Sequence, residues 1–228
     1  MKKYDTIIFD LDGTLLYTLE DLANSINYIM NKYGYPIQSL QDVRRNVGNG
    51  MMKLLQRSIA EPLDEDELQN IFKDFREYYT NHCDHTTKPY AGVVQLLSDL
   101  KILGYKMAIV SNKNQAAVEE LTQKYFQHYI KVAIGQQEKV RRKPYADMVL
   151  QALKQLGSLK EKAAYIGDSE VDSQTAQNAQ MDCILVSWGF RDKKILEELP
   201  ANAVVDTAVE ILSFLEEIKI SENKAAVI

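Results

Sequence analysis

Thr6-Ile7-Ile8-Phe9-Asp10-Leu11-Asp12-Gly13-Thr14 decides the fold of this chain. Its first four residues are apolar or β-branched, the composition of a buried strand. Side chains alternate faces along an extended chain, so Asp10 and Asp12 leave the end of that strand on the same side. Gly13 then permits a turn that other residues avoid. Two carboxylates held together repel each other unless a cation or a shared proton relieves them. Alone, the pair reads as an acidic turn after a strand. The residues that follow change that reading.

Downstream of Thr14 the apolar period becomes helical. Leu19, Leu22, Ala23, Ile26, Ile29, Met30 and Tyr33 recur at helix spacing. Thr18 and Asp21 are the expected capping box, and Gly34 followed by Pro36 is the stop. Further helices are predicted over 40–46, 51–59 and 64–82, with breaks at Gly48-Asn49-Gly50 and Pro62. On the last of these, Leu68, Ile71, Phe72, Phe75, Tyr78 and Tyr79 are expected to share one side. No strand is expected between 16 and 87, so an all-helical block follows directly on the acidic strand.

From Lys88 onward strands and helices alternate. Helices are predicted over 93–103, 115–126, 145–156, 171–180 and 207–218, and strands over 105–110, 131–134, 163–166 and 183–186. Residues 221–228 read as a frayed tail. Such alternation implies a doubly wound parallel sheet, a Rossmann-like α/β core. The expected organisation is a core domain of residues 1–15 and 88–228 with a small helical cap domain, 16–87, inserted after the first strand.

Bulk properties narrow the function. The chain has 228 residues, 46% hydrophobic and 26% charged, which is ordinary for a soluble globular protein. A net charge of -5 offers no footprint for nucleic acid. No apolar run is long enough to span a membrane. The N-terminal apolar segment is too short for a signal peptide. Cys83 and Cys183 have no framework spacing, so a reducing cytoplasm is the expected location. His82-Cys83-Asp84-His85 lacks the second ligand pair of a structural zinc site and reads as the end of a helix.

In open α/β sheets ligands gather beyond the carboxyl ends of the strands. The predicted strands end in Asp10 and Asp12, in Ser111-Asn112-Lys113, and in Gly167-Asp168-Ser169 with Asp172 one turn on. Arg141-Arg142-Lys143-Pro144 follows the strand at 131–134. Clustered carboxylates suit Mg²⁺, a hard cation that commonly bridges to a substrate phosphate. A lysine balances charge, and a serine hydroxyl and backbone N–H groups donate to phosphate oxygens. One carboxylate can attack phosphorus to give an aspartyl-phosphate, and a second can protonate the leaving group and then deprotonate water.

Asp10-Leu11-Asp12-Gly13-Thr14, Ser111-Asn112-Lys113, Lys143-Pro144 and Gly167-Asp168-Ser169-Glu170-Val171-Asp172 resemble the four ordered motifs of the haloacid dehalogenase superfamily. The resemblance covers almost the whole chain, and the helical insert is similar to that superfamily's small cap. Within it, Arg44-Arg45-Asn46-Val47-Gly48-Asn49-Gly50 and His85-Thr86-Thr87-Lys88-Pro89-Tyr90-Ala91-Gly92-Val93 resemble the phosphoglycolate phosphatase group. The resemblance implies Asp10 as nucleophile and Mg²⁺ ligand, and Asp12 as acid/base with its backbone carbonyl on the metal. Thr14 would support the first motif. Ser111 and Asn112 would hold the phosphate, and Lys143 would pair with Asp10 and the phosphate. Asp168 would bind Mg²⁺, and Asp172 would do so through water or from behind.

Tyr17-Thr18 stands where many relatives carry Asp-Ser, and Ala179-Gln180-Met181 where Ala-Gly-Met is common. Tyr17, Arg45 and the Gly48-Asn49-Gly50 loop are the cap residues expected to select the leaving group, an arginine being suited to a carboxylate such as that of glycolate. The expected activity is a Mg²⁺-dependent phosphatase on a small phosphorylated metabolite, with phosphoglycolate foremost, in a monomer or homodimer. A pyrophosphatase or 5'-nucleotidase is the nearest alternative, then a sugar phosphomutase. A receiver-type phosphoacceptor domain carries similar groups, but its acceptor ends a middle strand and it lacks so large a helical insert.

Overall fold

The computed structural model describes residues 3–48 and 50–215. In chain order the elements are β1 (Thr6–Phe9), β2 (Leu16–Tyr17), α1 (Leu19–Tyr33), α2 (Leu40–Asn46), α3 (Met51–Ile59), α4 (Glu65–His82), β3 (Lys88–Pro89) and α5 (Val93–Ile102). There follow β4 (Lys106–Asn114), α6 (Gln115–Phe126), β5 (Val132–Gln136), α7 (Asp147–Leu156), β6 (Ala163–Gly167), α8 (Glu170–Ala179), β7 (Asp182–Val186), α9 (Lys193–Glu197) and β8 (Ala203–Val205). Residues 208–215 are helical. The chain divides into two compact units, Met1–Leu15 with Pro89–Ile228, and Leu16–Lys88.

The first unit is built on a six-stranded parallel sheet of order β5-β4-β1-β6-β7-β8. β1 sits inside it, and all four of its residues are fully buried. Ile8, Val110, Tyr165 and Leu185 face one layer with Met148 and Val149 of α7 and Ala176 of α8. Their opposite-facing neighbours Ile7, Phe9, Ile109, Ile166 and Ile184 are equally buried. Both faces of the sheet are covered, as near-continuous apolar strands require. Beside the register shift between β4 and β5, the Gln115 side-chain amide donates to the Ala133 carbonyl (3.0 Å) and accepts from the Gly135 N–H (2.5 Å), as a neighbouring peptide unit would. A Cβ at Gly135 would collide with the Gln115 backbone, so glycine is required for this approach.

The second unit packs α1 against α4, with Ile26, Ile29 and Met30 meeting a layer that includes Leu68, Ile71, Phe75 and Tyr79. Phe72 and Tyr78 are only half-buried, contrary to the single apolar side expected. Instead Arg76 lies over the Phe72 ring, and Tyr78 is stacked between Tyr28 and His82. The His82 ring N–H donates to the Tyr78 carbonyl at 2.7 Å.

Other expectations are corrected. The capping box falls not at Thr18 but at Ser39, whose hydroxyl accepts from the Asp42 N–H while Asp42 accepts from the Ser39 N–H. Asp21 is buried and turned toward Thr86 and Thr87, accepting from both backbone N–H groups and both hydroxyls at 2.8–3.0 Å. Leu16–Tyr17 and Lys88–Pro89 pair as a short ladder at the two ends of the helical segment, where no strand was expected. Such short strands lack any periodic signature and exist only through their partner. α9 and β8 add a helix and a sixth strand for the same reason. β4 runs on to Asn114, with a shift of register after Val110. α7 starts at Asp147 rather than Tyr145. The tail at 221–228 and the last turn expected at 216–218 lie outside the described residues.

Candidate active site

Register places the chemistry. Phe9 of β1 is level with Ile109 of β4 and Ile166 of β6, so Asp10, Ser111 and Asp168 emerge at neighbouring strand ends. The Asp10 N–H extends the ladder to the Ile166 carbonyl (2.8 Å), which fixes its backbone. Gly13 turns the chain with φ of 88°, and a Cβ there would overlap the Asp168 carboxylate.

Lys143, from the loop between β5 and α7, enters this space from the side. Asn112 clamps its backbone, accepting from the Lys143 N–H (2.8 Å) and donating to the Lys143 carbonyl (3.1 Å). The buried ammonium donates to Asp10 Oδ1 (2.7 Å), Asp172 Oδ1 (2.7 Å) and the Tyr165 hydroxyl (3.1 Å). Those three acceptors use all three of its protons. Tyr165 passes its own proton to Asp172 Oδ1 (3.1 Å). Asp172 Oδ2 accepts from the Ser169 hydroxyl (2.6 Å) and the Asp168 N–H (3.2 Å). Asp172 therefore has both oxygens occupied by protein donors.

Asp168 is held by the loop after β7. Its Oδ2 accepts from the Phe190 N–H (2.6 Å), and its Oδ1 faces the Thr14 hydroxyl at 3.4 Å. Trp188 donates its indole N–H to the Thr14 carbonyl (3.0 Å), and Gly189 lies so close to Asp168 that no Cβ would fit. Arg191 grips Glu170 with two bonds of 2.7 and 2.8 Å. Asp12 stands apart from the three buried acids. Its Oδ1 accepts from Lys113 at 2.9 Å, and the Lys113 backbone N–H reaches the Ser111 hydroxyl at 3.2 Å.

The electrostatics follow from this crowding. Burial pushes the Asp10 carboxyl up to about 7; Lys143 opposes that rise and Asp172 adds to it. Burial, then the Asp172 and Asp10 charges, lift Asp168 well above the carboxylate range. Burial disfavours the Lys143 charge, yet Asp10 and Asp172 outweigh it and hold the ammonium well above its ordinary value. Asp10, Asp168 and Asp172 bring carboxylate oxygens within 4.8 Å of one another. Fully ionised, three carboxylates against one ammonium leave two negative charges, which crowding disfavours and a divalent cation would offset, and the donors are the hard oxygens such ions prefer. The residues fit a metal ion.

Every expected core residue lies in the first unit. Asp10, Lys143, Asp168 and Asp172 form one buried cluster, Thr14 and Asn112 brace it, and Ser111 sits at the next strand end. Tyr17, Arg45, Gly48 and Gly50 belong to the second unit, and Asn49 lies outside the described residues. Tyr17 is half-buried, its phenol pKa raised by burial and by Glu20. Arg45 is exposed and paired with Asp42. Gly48 and Gly50 both have positive φ, 128° and 91°, and Arg57 donates to the Gly48 carbonyl (3.4 Å).

This buried acid cluster, at the end of an inner strand beside a clamped lysine, is the candidate active site. The chain belongs to the haloacid dehalogenase-like hydrolases, whose sequence pattern matches residues 7–186. It is 32% identical over 210 residues to a phosphoglycolate phosphatase of Caulobacter vibrioides, covering 90% of this chain and 88% of that one. It is 27% identical over 222 residues to the phosphoglycolate phosphatase of Nitrosococcus oceani, covering 95% and 99%. Among solved structures, one from Lactobacillus delbrueckii subsp. bulgaricus, itself provisionally assigned as a phosphoglycolate phosphatase, superposes with a TM-score of 0.89 at 34% identity, covering 96% of this chain and 99% of that one.

Proposed function

We propose that this chain is a Mg²⁺-dependent phosphatase that hydrolyses a small phosphate monoester through an aspartyl-phosphate on Asp10, with phosphoglycolate as its substrate. The buried Asp10–Lys143–Asp172 arrangement carries this reading. It holds one oxygen of the nucleophile and leaves the other without a hydrogen bond among the described residues. Kinship to phosphoglycolate phosphatases supports the choice of substrate.

Each residue then has a task. Mg²⁺, bound by Asp10, Asp168 and the Asp12 carbonyl with Asp172 behind, would neutralise charge on the phosphoryl oxygens. Asp10 attacks phosphorus. The bond to the bridging oxygen breaks, and Asp12 gives that oxygen its proton. Asp12 then takes a proton from water, whose oxygen displaces phosphate from Asp10. Lys143 holds Asp10 in line, and Asn112 holds Lys143. Ser111 and nearby backbone N–H groups receive phosphate oxygens. Tyr17, Arg45 and the 48–50 loop select the alcohol that leaves. The buried thiols Cys83 and Cys183, which form no disulfide with each other, support a cytoplasmic setting.

The test is phosphate release over a panel of phosphoglycolate, pyrophosphate, nucleotides and sugar phosphates with Mg²⁺. Phosphoglycolate is expected to give the highest kcat/KM, and Asp10→Asn to abolish turnover. An Asp10→Asn protein of full activity would overturn the mechanism. Preferred turnover of pyrophosphate or a nucleotide would overturn the substrate.

A further inference from the structure

Asp12 has a lysine of its own. Lys113 is 7% exposed, and a buried ammonium is tolerated only when paired. Its partner is Asp12 Oδ1 at 2.9 Å. Lys143 cannot serve in its place, because Asp10, Asp172 and Tyr165 take its three protons. The Lys113 backbone lies between Val110 and Asn114, where β4 shifts register against β5, and its N–H is tied to the Ser111 hydroxyl (3.2 Å). Asp12 sits beyond the end of β1, next to the turn at Gly13, where its side chain has free rotation unless something stops it. Among the described residues no hydrogen bond reaches its other oxygen, Oδ2.

We propose that Lys113 is a positioning residue for Asp12: it pins Oδ1 and so directs Oδ2 at the leaving-group oxygen and then at the attacking water. This rests on the phosphatase reading above. The bonds made and broken are those already described; Lys113 exchanges no atom with the substrate. Its contribution is orientation, which proton transfer needs at hydrogen-bond accuracy. The consequence is a dependence on the leaving group. An alkoxide must be protonated as it departs, whereas p-nitrophenolate departs without help.

The experiment compares wild type, Lys113→Met, Lys113→Gln and Asp12→Asn on phosphoglycolate and on p-nitrophenyl phosphate, with thermal melts as the control for folding. With either Lys113 variant, kcat/KM for phosphoglycolate is expected to fall by about 100-fold, within the range of general acid catalysis, and that for the aryl ester by less than about 3-fold. On the aryl ester kcat should fall as well, with a burst of p-nitrophenol and acid-stable accumulation of phosphorylated protein, because dephosphorylation still needs Asp12. Lys113→Met added to Asp12→Asn should cost nothing further, since the two act as one unit. Equal loss of kcat/KM on both esters, or additive losses in the double variant, would overturn the proposal. A wild-type protein inactive on every phosphate ester would remove the phosphatase reading, and this inference with it.

Discussion

Asp21→Asn is expected to destabilise the helical unit by about 1.5–3 kcal/mol. In the native chain Asp21 Oδ1 accepts from the Thr86 hydroxyl (2.8 Å), Oδ2 from the Thr87 N–H (2.9 Å) and hydroxyl (2.8 Å), and the Thr86 N–H is shared between both oxygens (3.0 Å each). Asparagine replaces one of those oxygens with an NH₂ group. With the oxygen kept at the Oδ2 position both backbone N–H groups stay bonded, and the NH₂ faces the Thr86 hydroxyl, which can rotate and accept. The three bonds that survive on the oxygen lose the benefit of a charged acceptor, about 0.5–1 kcal/mol each. The assay is urea unfolding with hydrogen exchange at the Thr86 and Thr87 amides, which assigns the loss to this unit. pH gives an independent check. Burial would raise the Asp21 pKa, but the threonine donors outweigh it and hold it below its ordinary value. A depressed folded-state pKa means the stabilisation is complete above the unfolded value of about 3.9 and is lost as pH falls through the folded one. The gap between wild type and variant should therefore be constant across neutral pH and close only below about pH 4. A gap under about 0.5 kcal/mol, the size of an ordinary surface change, would refute this reasoning, as would a gap that varies near neutrality.

Three further outcomes are expected. Gln180 caps α8 in the left-handed region with φ of 56°, where its exposed side chain bonds half-buried Lys160. Gln180→Gly should stabilise by about 0.5–1 kcal/mol, read as a higher Tm. Lys143→Met would leave Asp10 and Asp172 buried without their cation, which should cost about 3–5 kcal/mol in urea unfolding and abolish turnover. Metal-free protein should lose stability as pH rises from about 4 to about 7, because native Asp10, raised to about 7, holds a proton that the unfolded chain releases. Mg²⁺ should reverse that loss, so its effect on Tm in thermal melts with and without chelator is larger at pH 8 than at pH 5.5.

The long elements were legible because they carry a period. α2 and α3 were expected at their observed limits, since each is bounded by breakers and shows an apolar face. β1 was legible from its composition alone. The misreading at Asp21 has a different origin. A threonine followed three residues later by an acid is a local signal, and it lost to Thr86 and Thr87, sixty-five residues away. In the candidate site, Asp10, Lys143, Asp168 and Asp172 were legible as a group because charged side chains recur at successive strand ends. Tyr165 was hidden by its place in an apolar strand run, where a phenol reads as core. The Phe190 N–H was beyond reach, since every residue but proline has a backbone donor; a glycine beside it, Gly189, is the one trace of that close approach. Gln180, noted as an oddity beside the common glycine, becomes intelligible once its φ is known.

Lys113 carries no distinct signal in the sequence, since a lysine at a strand end is ordinarily solvated. Its burial exposes a constraint that a tally of motifs does not. On the proposed mechanism, two carboxylates from one strand end do opposite things. The nucleophile needs its charge held in place and one lone pair free, while the acid/base must gain and lose a proton within one turnover. A single shared lysine would couple the two, so that movement of a proton on Asp12 would alter the charge balance at Asp10. Here Lys143 lies between Asp10 and Asp172, and Lys113 pairs with Asp12. The two ion pairs share no atom, so the proton on Asp12 can come and go while Asp10 keeps its partner.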